Sequence, residues 1–143
     1  MTILFIDTET TNLPLSVTEN GSTVTKWPHL LQLGYQLYNT DGKLLSEGSW
    51  LVKPNGYKIS LSAQRIHRIT KSMTTIQGRD IKLILRYLRF LVRRSTTIVG
   101  HNINFDINVL EAEFQRHNMQ SNLYSKPHLC TMKSLSLFYG HRS

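Results

Sequence analysis

The stretch Ile3-Leu4-Phe5-Ile6-Asp7-Thr8-Glu9 joins an apolar run to two closely spaced acids. Its first four residues are apolar β-formers, which predicts a short buried strand that ends where Asp7 begins a polar segment. Because side chains two apart along a strand share a face, we expect Asp7 and Glu9 to project together at its carboxyl end. At about 5 Å and an effective dielectric constant near 20, their repulsion costs about 3 kcal/mol, which a divalent cation would offset.

The segments that follow predict two more strands beside the first. Strands are expected at Leu30 to Tyr38 and around Leu44 to Val52, joined by a turn at Asp41-Gly42. Residues 11 to 28 are polar and rich in turn formers, so a loop is expected there. The first three strands should therefore form an antiparallel meander.

Helices and strands alternate after the meander, which indicates an α/β fold. The elements expected are a short helix capped by Ser60 or Ser62 and running through Ile66, a helix over residues 78 to 93, a strand over Thr96 to Gly100, and a helix over Phe105 to His117 with Ile107, Leu110 and Phe114 inward. The helix over residues 78 to 93 carries a basic stripe of Lys82, Arg86, Arg89 and Arg93. Such a stripe is typical of a solvated face and is compatible with a phosphate track.

Length and composition narrow the class of protein. The chain has 143 residues, 40% of them hydrophobic and 18% charged, which fits one globular domain and argues against a disordered tail. No apolar run reaches the roughly 18 residues of a membrane span, and the start lacks the basic region of a signal peptide. Cys130 is the only cysteine, which excludes an intramolecular disulfide and favours a reducing, cytoplasmic location. The net charge of +8 would attract a polyanion.

A third acid is expected near the first two. The segment Gly100-His101-Asn102-Ile103-Asn104-Phe105-Asp106 places Asp106 in the first turn of a helix that directly follows a buried strand. In open α/β sheets ligands bind at the carboxyl ends of the strands. Taken alone, Asp7 and Glu9 could splay into water, and Asp106 could serve the helix dipole. If the three converge, Mg²⁺ or Mn²⁺ would suit them, because both ions prefer oxygen ligands.

These segments resemble the first and second exonuclease motifs of the DEDD superfamily, typified by the proofreading epsilon subunit of bacterial DNA polymerase III. The first motif is Phe5 to Leu13, the second is Val99 to Asp106, and Ile66 to Thr70 lies where the family has His-Gly-Ile-Thr. The resemblance runs from Ile3 to about Ser134. It implies a ribonuclease H-like exonuclease fold, an α/β architecture with a mixed sheet flanked by helices and an antiparallel first three strands.

The resemblance implies a hydrolase that removes nucleotides from 3′ ends of DNA, with RNA as a second candidate substrate and a DNA polymerase as a candidate partner. Asp7, Glu9 and Asp106 would be the catalytic acids of a two-metal site holding Mg²⁺ or Mn²⁺, with Asp106 reaching metal directly or through water. The substrate-binding residues implied are Thr8, Thr10, Leu13, His67, Asn102 and Phe105.

Several of these positions have a structural alternative. His67 could be a histidine satisfied within a loop, Leu13 a core residue, and Phe105 is favoured as core. Asn102 is favoured as a helix cap. Arg68 stands where the family usually has glycine, so the loop geometry is expected to differ there.

The family's third motif, a histidine base with an aspartate five residues later, is not found. No Asp or Glu follows Glu113, and neither His128 nor His141 has a downstream acid. We therefore expect residues 1–143 to be a single exonuclease domain truncated before its final helix, with weak or no activity and an exposed apolar sheet surface. A natural short form that binds without cutting is the alternative to truncation.

Two other hypotheses stay open. The chain could be a non-catalytic nucleic-acid-binding domain that uses the basic stripe. It could also be a different nuclease of the ribonuclease H-like fold, which would release endonucleolytic products.

Overall fold

The computed structural model describes residues 1–12 and 27–132. Within them the chain forms one five-stranded sheet in the order β3-β2-β1-β4-β5, with helices between the strands. The elements are β1 Thr2–Thr10, β2 Leu30–Asn39, β3 Leu44–Leu51, α1 Leu61–His67, α2 Lys71–Gln77, α3 Ile81–Arg94, β4 Thr97–Gly100, α4 Ile103–Arg116 and β5 His128–Cys130, with a 3₁₀ turn at Leu123–Ser125.

The sheet is mixed, as expected. β1 pairs antiparallel with β2, and β2 with β3, which confirms the predicted meander. The turn forms because the Asn39 side chain accepts hydrogen bonds from the backbone N–H groups of Asp41 and Lys43, while Gly42 takes a positive φ. β4 then lies parallel to β1 on its other side, and β5 lies parallel to β4.

β1 is longer than predicted. The strand was expected to end where Asp7 begins, but it continues to Thr10. Polar residues continue the strand because β2 supplies backbone partners along its whole length, from Thr2 opposite Asn39 to Thr10 opposite Leu30. The acids therefore lie within a hydrogen-bonded ladder and not in a loop.

The predicted helices are present with shifted bounds, and α2 was not predicted. Ser60 caps α1 through its side chain, as expected. α3 begins at Ile81, three residues later than expected, because Gly78 ends α2 and Arg79 pairs with Val52. At Gly78 a Cβ would lie 2.1 Å from the Thr74 carbonyl oxygen, so only glycine fits this close approach.

The core lies between one face of the sheet and the long helices. Leu4 and Ile6 of β1 are buried there with residues of β2, α3 and α4. Ile107, Leu110 and Phe114 of α4 are buried, as predicted. The opposite face of β1 carries Phe5 and Asp7, which are exposed. No helix among the described residues is long and apolar enough to cross a membrane.

Candidate active site

The acids of β1 share the face that the long helices do not cover. Asp7 is exposed and Glu9 is half-buried, whereas Thr8 and Thr10 are buried on the other face. The ladder with β2 sets Asp7 opposite Gly34 and Glu9 opposite Gln32. The predicted alternation is therefore observed at these positions.

A crevice opens at the carboxyl end of β1. Its pairing with β4 stops at Phe5 opposite Val99, while its pairing with β2 continues to Thr10. β4 ends at Gly100, and α4 then begins beside the last residues of β1. At Gly100 a Cβ would lie 3.3 Å from the Ile6 carbonyl oxygen and 3.5 Å from Asp106 Oδ2, so the missing side chain lets these groups approach.

Asp106 projects from the first turn of α4 into this crevice. It is 4% exposed, and its Oδ1 accepts a hydrogen bond of 2.5 Å from the Thr8 hydroxyl. Burial, together with the negative charge of Asp7, raises the pKa of Asp106 to about 7, against the lowering effect of the Thr8 hydrogen bond. Close to neutral pH this carboxyl group is therefore poised between its two protonation states.

Glu9 is coupled to the same charge. Burial raises the pKa of Glu9, the Asp7 carboxylate raises it further, and His67 lowers it. Asp7 thus acts electrostatically on acids from both sides of the crevice. A cation bound here would relieve that repulsion.

One cleft of about 260 Å³ contains the three acids. Its lining residues are Asp7, Thr8, Glu9, Thr10, Asn12, Ala63, Ile66, His67, His101, Asn102, Phe105 and Asp106. The structure thus brings together the predicted site residues, apart from Leu13, which lies outside the described residues. Larger hollows of about 580 and 630 Å³ adjoin the cleft, since the first shares Asp7 and the second shares His67 with it.

His67 is held by two hydrogen bonds to backbone. Its Nδ1 accepts from the Ile69 N–H at 3.0 Å, which assigns the proton to Nε2, and Nε2 donates to the Thr10 carbonyl oxygen at 3.1 Å. This is the satisfied histidine of the structural alternative, now placed at the rim of the cleft. Contact between the His67 ring and a substrate stays a prediction.

The two threonines of the first motif have their hydroxyl groups engaged within the protein. Thr8 donates to Asp106, and Thr10 donates to the Asn12 carbonyl oxygen at 2.5 Å. Both hydroxyls therefore shape the crevice. Their predicted role in binding substrate stays a prediction.

Asn102 and Phe105 flank Asp106 at the start of α4. Asn102 takes the left-handed backbone conformation, with φ of 60°, and its side chain makes no capping hydrogen bond, so the expected helix cap is wrong. Asparagine tolerates this conformation better than most residues. Phe105 is half-buried, packs against the core and lies 6.1 Å from the Trp27 ring. Phe105 therefore has both the core role favoured from sequence and a place on the cleft wall.

Sequence reasoning missed several residues of the cleft wall. His101 is exposed, and its Nδ1 lies 3.1 Å from the Thr131 hydroxyl oxygen. Ile66 is 67% exposed at the rim, although isoleucine is usually buried. His101 lies within the second motif, which was a signal for it, whereas Ile66 had only its place beside His67.

The donor chemistry of the cleft fits a hard divalent ion. Carboxylate oxygens are the ligands that Mg²⁺ and Mn²⁺ prefer. Among residues 1–12 and 27–132, no group of three or more His, Cys, Asp or Glu side chains is arranged to hold a metal. This does not conflict with Mg²⁺, which commonly binds through one or two carboxylates together with water and substrate phosphates. Asp7 and Glu9 are the pair that would supply these oxygens.

Residues 4–142 match the family model described as Exonuclease. This chain belongs to that exonuclease family. The match spans the cleft, β4, α4, β5 and all of β1 except its first two residues. It makes the protein a nuclease by family, and therefore a hydrolase. No curated protein sequence matches the exonuclease domain at a significant level.

Solved structures share the fold of this exonuclease domain. A product-bound exonuclease I superposes with a TM-score of 0.80 at 19% identity, covering 99% of this chain and 32% of that chain. Escherichia coli exonuclease I in complex with a dT13 oligonucleotide gives a TM-score of 0.79 at 18% identity, covering 99% of this chain and 30% of that one. These likenesses establish the ribonuclease H-like exonuclease fold expected from sequence.

The chain spans about a third of the length of the exonuclease I chains that it matches. The specific resemblance to the epsilon subunit of a polymerase stays a prediction, since these similar structures are of exonuclease I.

Proposed function

We propose that this domain is a metal-dependent 3′–5′ exonuclease acting on DNA ends. The observation that carries the proposal is the convergence of Asp7, Glu9 and Asp106 on one cleft at the carboxyl edge of the sheet. Family membership supports nuclease chemistry, and the neighbouring exonuclease I structures include one bound to a DNA oligonucleotide. RNA is the second candidate substrate.

Each acid has a distinct part in the proposed site. Asp7 is exposed and faces both other acids electrostatically, so it would bind Mg²⁺ or Mn²⁺ together with Glu9. Asp106 would be held in place by Thr8 and would bind a metal ion directly or through a water molecule. When bound, the two ions would supply a nucleophile at neutral pH and stabilise the leaving 3′ oxygen.

The remaining wall residues would position the terminal nucleotide. Ile66 and Phe105 offer apolar surface to a base or sugar at the rim of the cleft. The rigidly held His67 ring would fix one side of the entrance. Its two backbone hydrogen bonds keep it in one orientation, which lowers the ordering cost of binding.

The last carboxylate and the general base would come from outside this sequence. The family's third motif supplies a histidine and an aspartate, and no acid follows Glu113 here. We therefore propose that the 143 residues have weak activity by themselves.

Metal binding by the chain as it stands gives the first test. We expect Mn²⁺ titration, followed by electron paramagnetic resonance or calorimetry, to detect binding that the Asp7→Asn variant weakens by about 10- to 100-fold, because the remaining acids cannot replace a direct ligand. Asp41→Asn is the matched control, since Asp41 lies in the exposed β2–β3 turn. Equal Mn²⁺ affinity in the wild type and Asp7→Asn would contradict the proposed site.

Cleavage gives the second test. A 5′-labelled single strand should shorten one nucleotide at a time in Mg²⁺ when the chain is extended by a segment carrying the third motif, and Asp7→Asn should abolish this. Internal cuts would favour a different ribonuclease H-like nuclease. Proofreading would require a polymerase partner, which a pull-down with the extended domain would reveal.

A further inference from the structure

The outward side of α3 combines positive charge with exposed apolar rings. Two stripes run along it side by side, each following the helical spacing of four, three and four residues. The basic stripe is Lys82, Arg86, Arg89 and Arg93, and the apolar stripe is Leu83, Tyr87 and Phe90, which ends at Arg94. We call these eight residues the basic-aromatic face.

The cations of this face have no acidic partner among the described residues. All salt bridges found in the described part of the chain converge on Glu113, at the far end of α4. Within α3 itself there is no Asp or Glu, and Asp80 caps its start. Arg89 is anchored, because it donates to the Gln120 carbonyl oxygen at 3.0 Å. Lys82, Arg86 and Arg93 project into solvent as uncompensated charges.

The apolar stripe is what distinguishes this face from an ordinary solvated one. Leu83, Tyr87 and Phe90 are 58%, 38% and 46% exposed. The Tyr87 and Phe90 rings continue an aromatic row from Trp50 of the sheet. The ring centroids of Trp50 and Tyr87 lie 5.0 Å apart, and those of Tyr87 and Phe90 lie 5.8 Å apart. The Arg94 guanidinium lies 5.2 Å from the Phe90 ring centre, which closes the row with a cation.

The face runs from the edge of the sheet that carries the active-site cleft to the opposite edge. Arg79, just before α3, pairs with Val52, directly after the end of β3. Strand β3 runs in the same direction as β1, so this end of α3 lies at the cleft edge of the sheet. At the other end, the Arg94 carbonyl oxygen accepts a hydrogen bond from Thr2 at the start of β1. Lys82 is therefore the cation nearest the cleft edge, and Arg93 is the farthest of its stripe.

We propose that the basic-aromatic face binds single-stranded nucleic acid as an exosite, separate from the cleft. Proteins that hold single strands pair cations along the backbone with rings on which bases stack, and α3 presents both in adjacent rows. From Lys82 to Arg93 the helix rises about 16 Å, which matches about five stacked nucleotides. One end of a strand held here would lie near the cleft edge.

A polyanion with flat apolar groups fits these stripes better than the other candidates. An acidic peptide would satisfy the cations but would leave the row of rings without matching flat partners. An anionic membrane would need deeper apolar insertion than half-exposed rings allow. The proposal goes beyond the catalytic function, because it involves neither the acids nor a metal.

Binding without cleavage tests the charges. The affinity is measured by titrating the full chain, in excess EDTA, into a short fluorescent oligothymidylate and following fluorescence anisotropy at several salt concentrations. The double variant Arg86→Gln/Arg93→Gln should weaken binding by about tenfold or more and reduce the slope of log affinity against log salt by about 1.4, since each phosphate contact on a single strand contributes about 0.7. The control Lys43→Gln/Lys126→Gln removes two charges elsewhere and should change affinity less than about twofold. Equal losses in the two double variants would overturn the exosite, because net charge alone would then explain binding.

A second pair of variants tests stacking. Phe90→Leu keeps an apolar side chain but removes the flat ring, and it should weaken binding by about five- to twentyfold, whereas Phe90→Trp should retain it. Thermal unfolding of each variant shows whether the fold is kept. Unchanged affinity in Phe90→Leu would overturn the stacking role.

Other occupants give different results. Binding to phosphatidylserine vesicles that oligothymidylate does not displace would overturn the proposal in favour of a membrane surface. Loss of self-association in Arg86→Gln/Arg93→Gln, with oligonucleotide affinity unchanged, would overturn it in favour of a second copy. The binding assay in EDTA involves no divalent ion and measures no cleavage, so a failure of the exosite is distinguishable from a failure of the catalytic proposal.

Discussion

Burial of the Asp106 carboxyl group carries a free-energy cost that hydrogen bonds from the Thr8 hydroxyl and from the backbone of Thr8 and Asp106 only partly offset. The side chain is nearly sealed from water, and Thr8 is the side chain that donates to it. Because burial and Asp7 raise its pKa to about 7, ionising Asp106 destabilises the folded chain at neutral pH. The folded protein retains this proton while the unfolded chain has lost it, over the range between the two pKa values.

We predict that Asp106→Asn stabilises the protein at pH 8 by about 1–3 kcal/mol. The amide is neutral and can still accept from Thr8, so the cost of a buried charge disappears. The gain should develop as pH rises from about 4 to 7 and stay constant above that, because the raised pKa penalises the folded state only once the unfolded carboxyl ionises. Denaturant unfolding at several pH values measures it, and Asp41→Asn should show no such trend. A loss of stability at pH 8 would contradict the expected cost.

Among the elements, α1 ends in a conformation that its sequence resists. Arg68 takes φ of 59° as the C-cap of α1, with its N–H bonded to the Gln64 carbonyl oxygen. The left-handed conformation costs a non-glycine residue about 1–2 kcal/mol. Arg68 thus takes a backbone conformation that glycine adopts without strain, so the chain forms the turn and bears the cost. His67, next to it, keeps its place on the cleft wall.

We predict that Arg68→Gly raises the free energy of unfolding by about 0.5–1 kcal/mol. Relief of the left-handed strain exceeds the added entropy of glycine in the unfolded chain. Thermal or urea unfolding measures the change. Arg68→Ala removes the same charge but keeps Cβ, so it should give no comparable gain, and Arg65→Gly within α1 should destabilise by about 1 kcal/mol. Equal effects from glycine and alanine at Arg68 would attribute the change to charge instead.

A serine cap predicts α1, and local hydrophobic patterns predict the other elements that carry a strong period. The meander, α3 and α4 follow from such patterns. α2 was missed because only Thr74 of its residues is buried, and a Thr70 cap holds it instead. The sequence predicts that β1 ends at Asp7, because polar residues usually end an apolar run. Pairing with β2 instead continues the strand to Thr10.

Local sequence patterns also predicted part of the candidate active site and missed the rest. Alternation along β1 placed Asp7 and Glu9 on one face, and the order of β4 and α4 placed Asp106 near them. The Thr8 to Asp106 hydrogen bond joins residues far apart in sequence, so no local pattern could indicate it. The left-handed Asn102 likewise depends on how α4 meets β4.

Considering the whole molecule, a buried charge cluster ties the end of α4 to residues 27–29. Glu113 is 1% exposed and bonds to Arg116, which also donates to the Trp27 carbonyl oxygen. His29 and His117 approach the same carboxylate at 3.6 and 3.8 Å. Burial, followed by the charges of Arg116 and His117, lowers the pKa of His29 to about 4. These effects therefore outweigh the nearby Glu113 carboxylate, whose attraction for a protonated His29 would raise that pKa. Burial raises the pKa of Glu113.

We predict that His29 makes stability depend on pH in the acid range. Because the pKa of His29 is lowered in the folded protein, the unfolded chain binds a proton at higher pH than the folded one does. The contribution of neutral His29 to the free energy of unfolding is therefore present above about pH 6.5 and is lost as pH falls towards 4. Allowing for the partial exposure of the ring, this loss is about 1–2 kcal/mol. The difference in unfolding free energy between wild type and His29→Gln should therefore shrink by that amount over this range. His101→Gln, an exposed control, should follow the wild type, and a pH-independent difference for His29→Gln would contradict the assignment.

β1 receives its two neighbours from very different distances along the chain. β2 follows it after one connection, whereas β4 joins it only after the meander, α1, α2 and α3 have been passed. Distant pairings form late, because their loop entropy must be overcome first. Asp7 and Glu9 lie in the β1–β2 pairing, which we expect to form early, whereas Asp106 follows β4, whose pairing with β1 should form late. We therefore expect a half-folded or nascent chain to carry the acids without assembling the cleft. The candidate cleft is therefore complete only after β4 has paired with β1.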